Sequence, residues 1–146
     1  MIQVKNQKVL VSLLQARFHP KLRALIKWVV FIAGIYITEG HRPKKHKHDL
    51  HGTRPVRAID GRSSIYTNPT LLANGINRNW IYDPGRPTMK CAVYHARCPS
   101  CGHDQKHEFS QYCDQCGRDI TNHWHIHFQV HPKTVFVKDG KGGEEE

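Results

Sequence analysis

Four of the five cysteines stand in two short pairs, Cys98-Pro-Ser-Cys101-Gly and Cys113-Asp-Gln-Cys116-Gly, with eleven residues between Cys101 and Cys113. Each pair is a knuckle: a tight turn aims two thiols at one point, and the following glycine lets the backbone turn away. Two knuckles supply four soft ligands, which suit a tetrahedral structural zinc ion and leave no position open for a substrate. Two chance pairs in a reduced loop, or a redox pair, are the competing readings. The redox reading lacks a flanking βαβ unit. The fifth cysteine, Cys91, reads as a buried strand thiol.

The second chemical signal is histidine. Of twelve, four fall at His123, His125, His127 and His131 and four at His41, His46, His48 and His51. The later group lies in His123-Trp-His-Ile-His-Phe-Gln-Val-His131, which alternates polar and apolar. In a strand, Trp124, Ile126, Phe128 and Val130 share one face, and His123, His125, His127, Gln129 and His131 share the other. Burying the apolar face fixes the register and holds the imidazoles in place. Serine or lysine would serve a merely solvated face equally well, so repeated histidine favours a site. A catalytic zinc needs three protein ligands and an open position. One strand offers one or two of them, and the segment His51-Gly-Thr-Arg-Pro-Val-Arg-Ala58-Ile59-Asp60 offers His51 and Asp60 as the others.

Positioning these groups requires a frame. Pro20 opens a helix with apolar residues at Leu22, Leu25, Ile26, Val29, Val30 and Ala33, and Gly34 ends it. Short strands are predicted at 35–38 and 58–60, a helix at 68–80, a strand at 90–95, and a strand at 122–130 with a hairpin partner at 134–137. Residues 1–16 read as an amphipathic lead-in, 39–57 as a basic loop, and 140–146 as a frayed acidic end. The order predicts an α+β fold: a small antiparallel sheet with helices on one face, carrying an inserted four-cysteine zinc-ribbon module. The main domain spans 1–96 and 120–138, the ribbon 97–119, and an acidic tail 139–146.

Composition narrows the classes. The chain has 146 residues, enough for one modest core. It is not poor in apolar residues, which excludes wholesale disorder. Its longest apolar run, Trp28 to Ile37, has ten residues, against about 20 for a membrane span. Met1 to Leu14 mixes Lys and Gln into its apolar residues and has no secretory pattern, so synthesis in a reducing cytoplasm is expected. The formal charge of +10 draws the protein toward polyanions: nucleic acid, anionic lipid or anionic cell-wall polymer.

The residues resemble the zinc peptidases of peptidoglycan that share the D-alanyl-D-alanine carboxypeptidase fold, including the murein endopeptidase branch and phage endolysins. His51-Gly…Ala58-Ile59-Asp60 resembles the family's first ligand segment, although eight residues lie between His51 and Asp60 where six are usual. His125-Ile126-His127 resembles the His-x-His strand of the murein endopeptidase branch. Thr38-Glu39-Gly40-His41-Arg42 resembles a strand-end motif whose arginine holds a substrate carboxylate. The likeness covers roughly residues 18–132 without the cysteine module, which the family pattern lacks.

The resemblance implies His51, Asp60 and His127 as ligands of a catalytic zinc, His125 as the base, and Arg42 as the carboxylate grip. It makes a peptidoglycan stem peptide the substrate, and it has the enzyme reach the wall after release or delivery, as in phage lysis. The competing class is a nucleic-acid-binding zinc ribbon or a metal-dependent nuclease with cysteine knuckles. A non-catalytic member of the peptidase fold is a third reading.

Overall fold

The computed structural model describes residues 1–40, 45, 47 and 49–137. Arg42, His41, His46, His48 and the predicted acidic tail lie outside the described residues. Among those described, the order is β1 (Ile2–Val4), α1 (Gln7–Gln15), α2 (Pro20–Ala33), β2 (Ile35–Glu39), β3 (Ala58–Arg62), α3 (Pro69–Asn79), β4 (Trp80–Ile81), β5 (Ala92–Arg97), β6 (Asp104–Lys106), β7 (His125–Gln129) and β8 (Val135–Phe136). No helix among them is long and apolar enough to cross a membrane.

The fold is α+β, around a six-stranded sheet in the order β1-β2-β3-β7-β5-β6. The sheet is mixed, which corrects the all-antiparallel expectation. β1 runs parallel to β2, because the chain returns through two helices rather than a hairpin, as parallel pairing requires. What read as an amphipathic lead-in is thus an edge strand and a helix capped by the Asn6 side chain, which accepts the Val9 N–H at 2.9 Å.

The helix ends follow their signals. Pro20 occupies the first turn of α2, and the His19 ring Nδ1 accepts the Lys21 N–H. Gly34 closes α2 at φ 75°, a conformation that favours glycine. Asn68 caps α3, with Pro69 in its first turn. Near its other end, the Asn77 side-chain amide pairs with β5, donating to Ala92 O and accepting Ala92 N–H at 2.8 and 3.0 Å. The amide acts there as a one-residue strand neighbour and satisfies backbone groups at an otherwise open edge.

Two predicted elements differ. The hairpin expected between 122–130 and 134–137 does not form: β8 pairs with β4 in a separate two-stranded sheet. Thr134 explains the turn away from β7. Its hydroxyl donates to Tyr82 O and accepts the His131 N–H, both at 2.8 Å, and so ties the segment to the β4 side. The last long strand is also shorter than predicted, because Thr121–His123 forms a 3-10 turn before it.

The alternation read in β7 is realised. Ile126 and Phe128 are fully buried with Ile35, Ile37, Ile59 and Tyr94 of the neighbouring strands, and with Leu22, Leu25 and Val29 of α2 and Ile76 of α3. Burying an aliphatic or aromatic side chain of this size contributes about 1.5–3 kcal/mol each, so a one-residue slip of β7 would forfeit several such terms. Gly61 of β3 faces the same core opposite Ile126. A Cβ at Gly61 would lie 2.8 Å from Phe128 Cε2. Gly61→Ala is therefore expected to lower stability by about 1–3 kcal/mol through overpacking, read as a lower midpoint in denaturant unfolding; an unchanged midpoint would show that the ring has room to move.

Candidate metal centre and its cleft

Register places the chemistry on the other face of the sheet. β7 lies between β3 and β5, with Asp60 opposite His127 and Arg62 opposite His125 on one side. On the other side Val93 lies opposite His127 and His95 opposite His125. Paired residues of antiparallel strands point to the same face. Asp60, His127, His125, His95 and Arg62 therefore form one polar patch over the buried Ile126 and Phe128.

His51 reaches this patch from a 3-10 turn, Leu50–Gly52, whose start is capped by Asp49 Oδ1 accepting the His51 N–H at 3.1 Å. The eight residues between His51 and Asp60 fold back on the turn: the Arg57 N–H donates to Leu50 O and to Thr53 Oγ1, and the Arg54–Pro55 peptide is cis. Asp60 Oδ1 then lies 3.4 Å from His51 Nε2 and 2.9 Å from His127 Nδ1. One ligand atom from each of the three falls within 4.8 Å of the others, so the group could hold a metal ion. Ligands at about 2.0–2.1 Å around a tetrahedral ion sit about 3.3 Å apart, close to the spacing found.

Their outer partners fix the ring nitrogens. His51 Nδ1 lies 2.8 Å from Gly40 O. A carbonyl only accepts, so Nδ1 carries the proton and Nε2 keeps its lone pair toward Asp60. Gln129 Nε2 donates to Lys90 O at 2.7 Å, which turns Gln129 Oε1 toward His127 Nε2 at 3.0 Å. His127 Nε2 is the donor there, and Nδ1 is the nitrogen presented to Asp60. Burial acts to raise the Asp60 carboxyl; when the rings are protonated, hydrogen bonds and charge from His127 and His51 hold it well below the usual carboxylate range, and when they are neutral their lone pairs face the carboxylate and a cation between the three takes the place of those protons. The three groups thus offer one anionic oxygen and two oriented nitrogens.

His125 stands beside this centre. Its Nδ1 donates to His123 O at 3.1 Å, and its Nε2 is 3.8 Å from Asp60 Oδ1. Burial lowers its pKa against the pull of Asp60, and His95 adds to the lowering, so the ring favours the neutral, proton-accepting form. The His95 ring packs on His125 with centroids 4.4 Å apart. His95 Nδ1 is in turn 2.8 Å from Asp104 Oδ1. Asp104 belongs to β6, between the two cysteine knuckles, so a side chain of that module supports the row of imidazoles. Sequence reasoning gave His95 and Gln129 no role and did not consider Asp104. The signals were present: His95 sits in an alternating strand, and Gln129 interrupts the histidine series at a position facing the same way.

The cysteine module forms a second cluster. Cys98 Sγ and Cys116 Sγ are 3.5 Å apart, Cys101 Sγ and Cys113 Sγ 3.6 Å, and all four sulfurs lie within 4.8 Å of one another. A tetrahedral ion bound at about 2.3 Å spaces its sulfurs about 3.8 Å apart. The two knuckles repeat one geometry. Gly102 and Gly117 take φ values of 77° and 81°, and their N–H groups donate to Cys98 O and Cys113 O, both at 2.9 Å. The Cys101 and Ser100 N–H groups draw the Cys98 thiol down to about 6, against burial. For Cys101 the His103 N–H acts in the same direction, but burial and the three other thiols push it up to about 12. Crowded thiols of this kind favour a cation between them. Cys91, just before β5, is fully buried, and burial pushes its thiol up to about 12.

A cleft of about 950 Å³ opens beside Asp60 and His125. Glu39, Arg62, Arg97 and Lys45 line it, with Trp124 and Phe109 on its apolar side. The Arg62 guanidinium lies over the Tyr36 ring, 4.2 Å from its centroid. Comparison with known protein families, with curated proteins and with solved structures finds no match to this chain.

The Asp104–His95 contact carries a pH dependence. Burial acts to raise the Asp104 carboxyl, but the His95 hydrogen bond and charge outweigh it and hold it below the usual range. Its contribution to stability is complete above the unfolded value of about 4 and is lost as the pH falls through the lower folded value. Asp104→Asn should therefore be less stable than the parent at neutral pH, the gap closing below about pH 4. Denaturant midpoints over a pH series test this, and a gap that stays constant into acid would refute it.

Proposed function

We propose that the chain is a zinc metallopeptidase that hydrolyses a peptide bond in the stem peptide of peptidoglycan. The observation that carries this reading is the convergence of His51 Nε2, Asp60 Oδ1 and His127 Nδ1, with each of the two rings oriented by an outer partner. Two imidazole nitrogens and a carboxylate oxygen suit zinc, and three protein ligands leave a coordination position open. The four thiols of the cysteine module suit a second, structural zinc. The motif resemblance supplies the substrate class, and the +10 charge favours an anionic wall polymer.

Zinc held by the three ligands supplies a Lewis acid that polarises the scissile carbonyl and acidifies water. The chain's own groups do the rest. His125 Nε2 accepts a proton on the cleft side of Asp60, while the Nδ1–H bond to His123 O fixes its tautomer. The same ring returns the proton to the leaving amine. Gly40 and Gln129 keep the two liganding rings from turning, and Asp104, through His95, holds His125 in place. Arg62 presents a guanidinium to the cleft beside His125, in reach of a carboxylate or carbonyl of the substrate. The role the resemblance assigns to Arg42 falls outside the described residues.

Zinc-loaded protein should carry two ions per chain and clear purified cell walls in a zymogram. His127→Ala should retain one ion and lose hydrolysis. His125→Ala should keep both ions and lose about 10²–10⁴-fold in kcat, the usual worth of a general base. A His127→Ala variant that hydrolyses walls at the parent rate defeats the assignment. Nicking of plasmid DNA with added magnesium, without wall hydrolysis, would transfer the site to a nuclease.

A further inference from the structure

A second pocket of about 470 Å³ lies on the same side of the sheet as the metal centre, beyond Gln129. Gln129 separates the two: its Oε1 contacts His127, and its side chain also lines this pocket. The other polar lining is dominated by cations, with Lys47, Arg57 and Arg86 beside His131.

Arg57 is the distinctive member. Its backbone is pinned on both sides, by Leu50 O and Thr53 Oγ1 at its N–H and by the Val130 N–H at its carbonyl. Its side chain has no ion-pair or hydrogen-bond partner among the described residues, and its Nε is buried without an acceptor. A buried donor is normally paired; Arg57 lines this pocket and also the neighbouring one beside Gly52, Arg54 and Pro132, so its guanidinium charge stands at the pocket wall with no counter-charge among the described residues. His131 adds another donor. Its Nδ1 accepts the Lys133 N–H at 3.1 Å, and burial, with the Arg57 charge next, keeps its pKa low. The neutral ring therefore carries its proton on Nε2. Among the described residues the pocket lining holds no carboxylate. Asp83 lies beside it, 4.0 Å from His131 Nδ1, and is engaged already: it accepts Arg86 Nε at 3.2 Å and the Gly85 N–H at 2.9 Å. The positive charge of the described lining is thus unbalanced within it.

We propose that this pocket is an oxyanion-binding subsite that takes a carboxylate of the substrate, on the side of the metal centre opposite Arg62. The choice of a peptide carboxylate rests on the peptidase reading; the affinity for an oxyanion does not. With Arg62 in the large cleft and Arg57 in this pocket, two guanidiniums flank the centre, and a peptide laid across it meets a cation on each side. The planar fork of Arg57 suits bidentate capture of a carboxylate better than a lysine ammonium would.

The test has two arms on the full, zinc-loaded chain. In the first, inorganic phosphate is titrated while the side-chain N–H resonances of Arg57 and His131 are followed by NMR. A saturable shift is expected, with Kd raised at least tenfold in Arg57→Gln, less in Arg57→Lys, and measurably in Lys47→Gln, whose side chain is exposed and outside the core. Phosphate held by the metal alone would be indifferent to these changes, so equal Kd values in parent and variants overturn the subsite. In the second arm, N-acetyl-D-alanyl-D-alanine is compared as free acid and as amide. The free acid should be preferred at least tenfold in kcat/KM, and Arg57→Gln should abolish the preference.

The two readings fail separately. Hydrolysis of acid and amide alike, unchanged in Arg57→Gln, removes the subsite and leaves the peptidase. Arg57-dependent phosphate binding without hydrolysis of either peptide removes the peptidase and leaves the oxyanion site.

Discussion

The structure depends on one pairing, that of β3 with β7. Phe128 and Ile126 must be buried, and a one-residue slip of β7 would turn both to the other face, so their packing guards the register found. That register sets His127 directly across from Asp60 and His125 across from Arg62. The polar centre is therefore a by-product of apolar packing. Hydrophobic burial contributes the stability, and the imidazoles ride on the face it leaves. Gly61 belongs to the same constraint: the strand that presents Asp60 on one side must make room for the Phe128 ring on the other.

Around that pairing, orientation is supplied by groups with little freedom. A backbone carbonyl fixes His51, a side-chain amide anchored to another carbonyl fixes His127, and a backbone carbonyl fixes His125. None of these partners can exchange donor and acceptor roles without breaking a second bond. This arrangement presets the protonation pattern of the rings, which is the condition for metal binding and for proton transfer at one site. The cysteine module joins the same network, since β6 is both its internal strand and the outer neighbour of β5.

Much of the candidate site was legible because its signals are local. Alternation from Trp124 to Val130 announces which histidines share a face, and two Cys-x-x-Cys-Gly turns announce their own geometry, down to the positive φ of Gly102 and Gly117. The convergence of His51 with Asp60 came from a resemblance of motifs, since spacing alone does not bring a turn and a strand together. What stayed hidden is non-local. Nothing near residue 95 says that Asp104 will turn back to meet it, and Gln129 gains its role only from Lys90. The parallel β1 and the pairing of β8 with β4 were missed for the same reason. Hairpins follow from neighbours in sequence, whereas these pairs are set by packing across the whole chain, with Lys21 Nζ reaching the carbonyls of Pro132 and Thr134 as one such tie.

The position of β7 has a temporal consequence. The strand in the middle of the sheet comes late in the chain, and both of its neighbours, β3 and β5, are synthesised well before it. Until residues 125–129 arrive, those two strands each lack a hydrogen-bonding neighbour on the inner side, and His51 and Asp60 lack the third member of their group, His127. The sheet must stay open for an insertion that closes it from within. Long-range closures of this kind are slow and leave strand edges bare in the meantime. The centre thus forms only once β7 is in place, and a chain caught before that step has its scaffold without its chemistry.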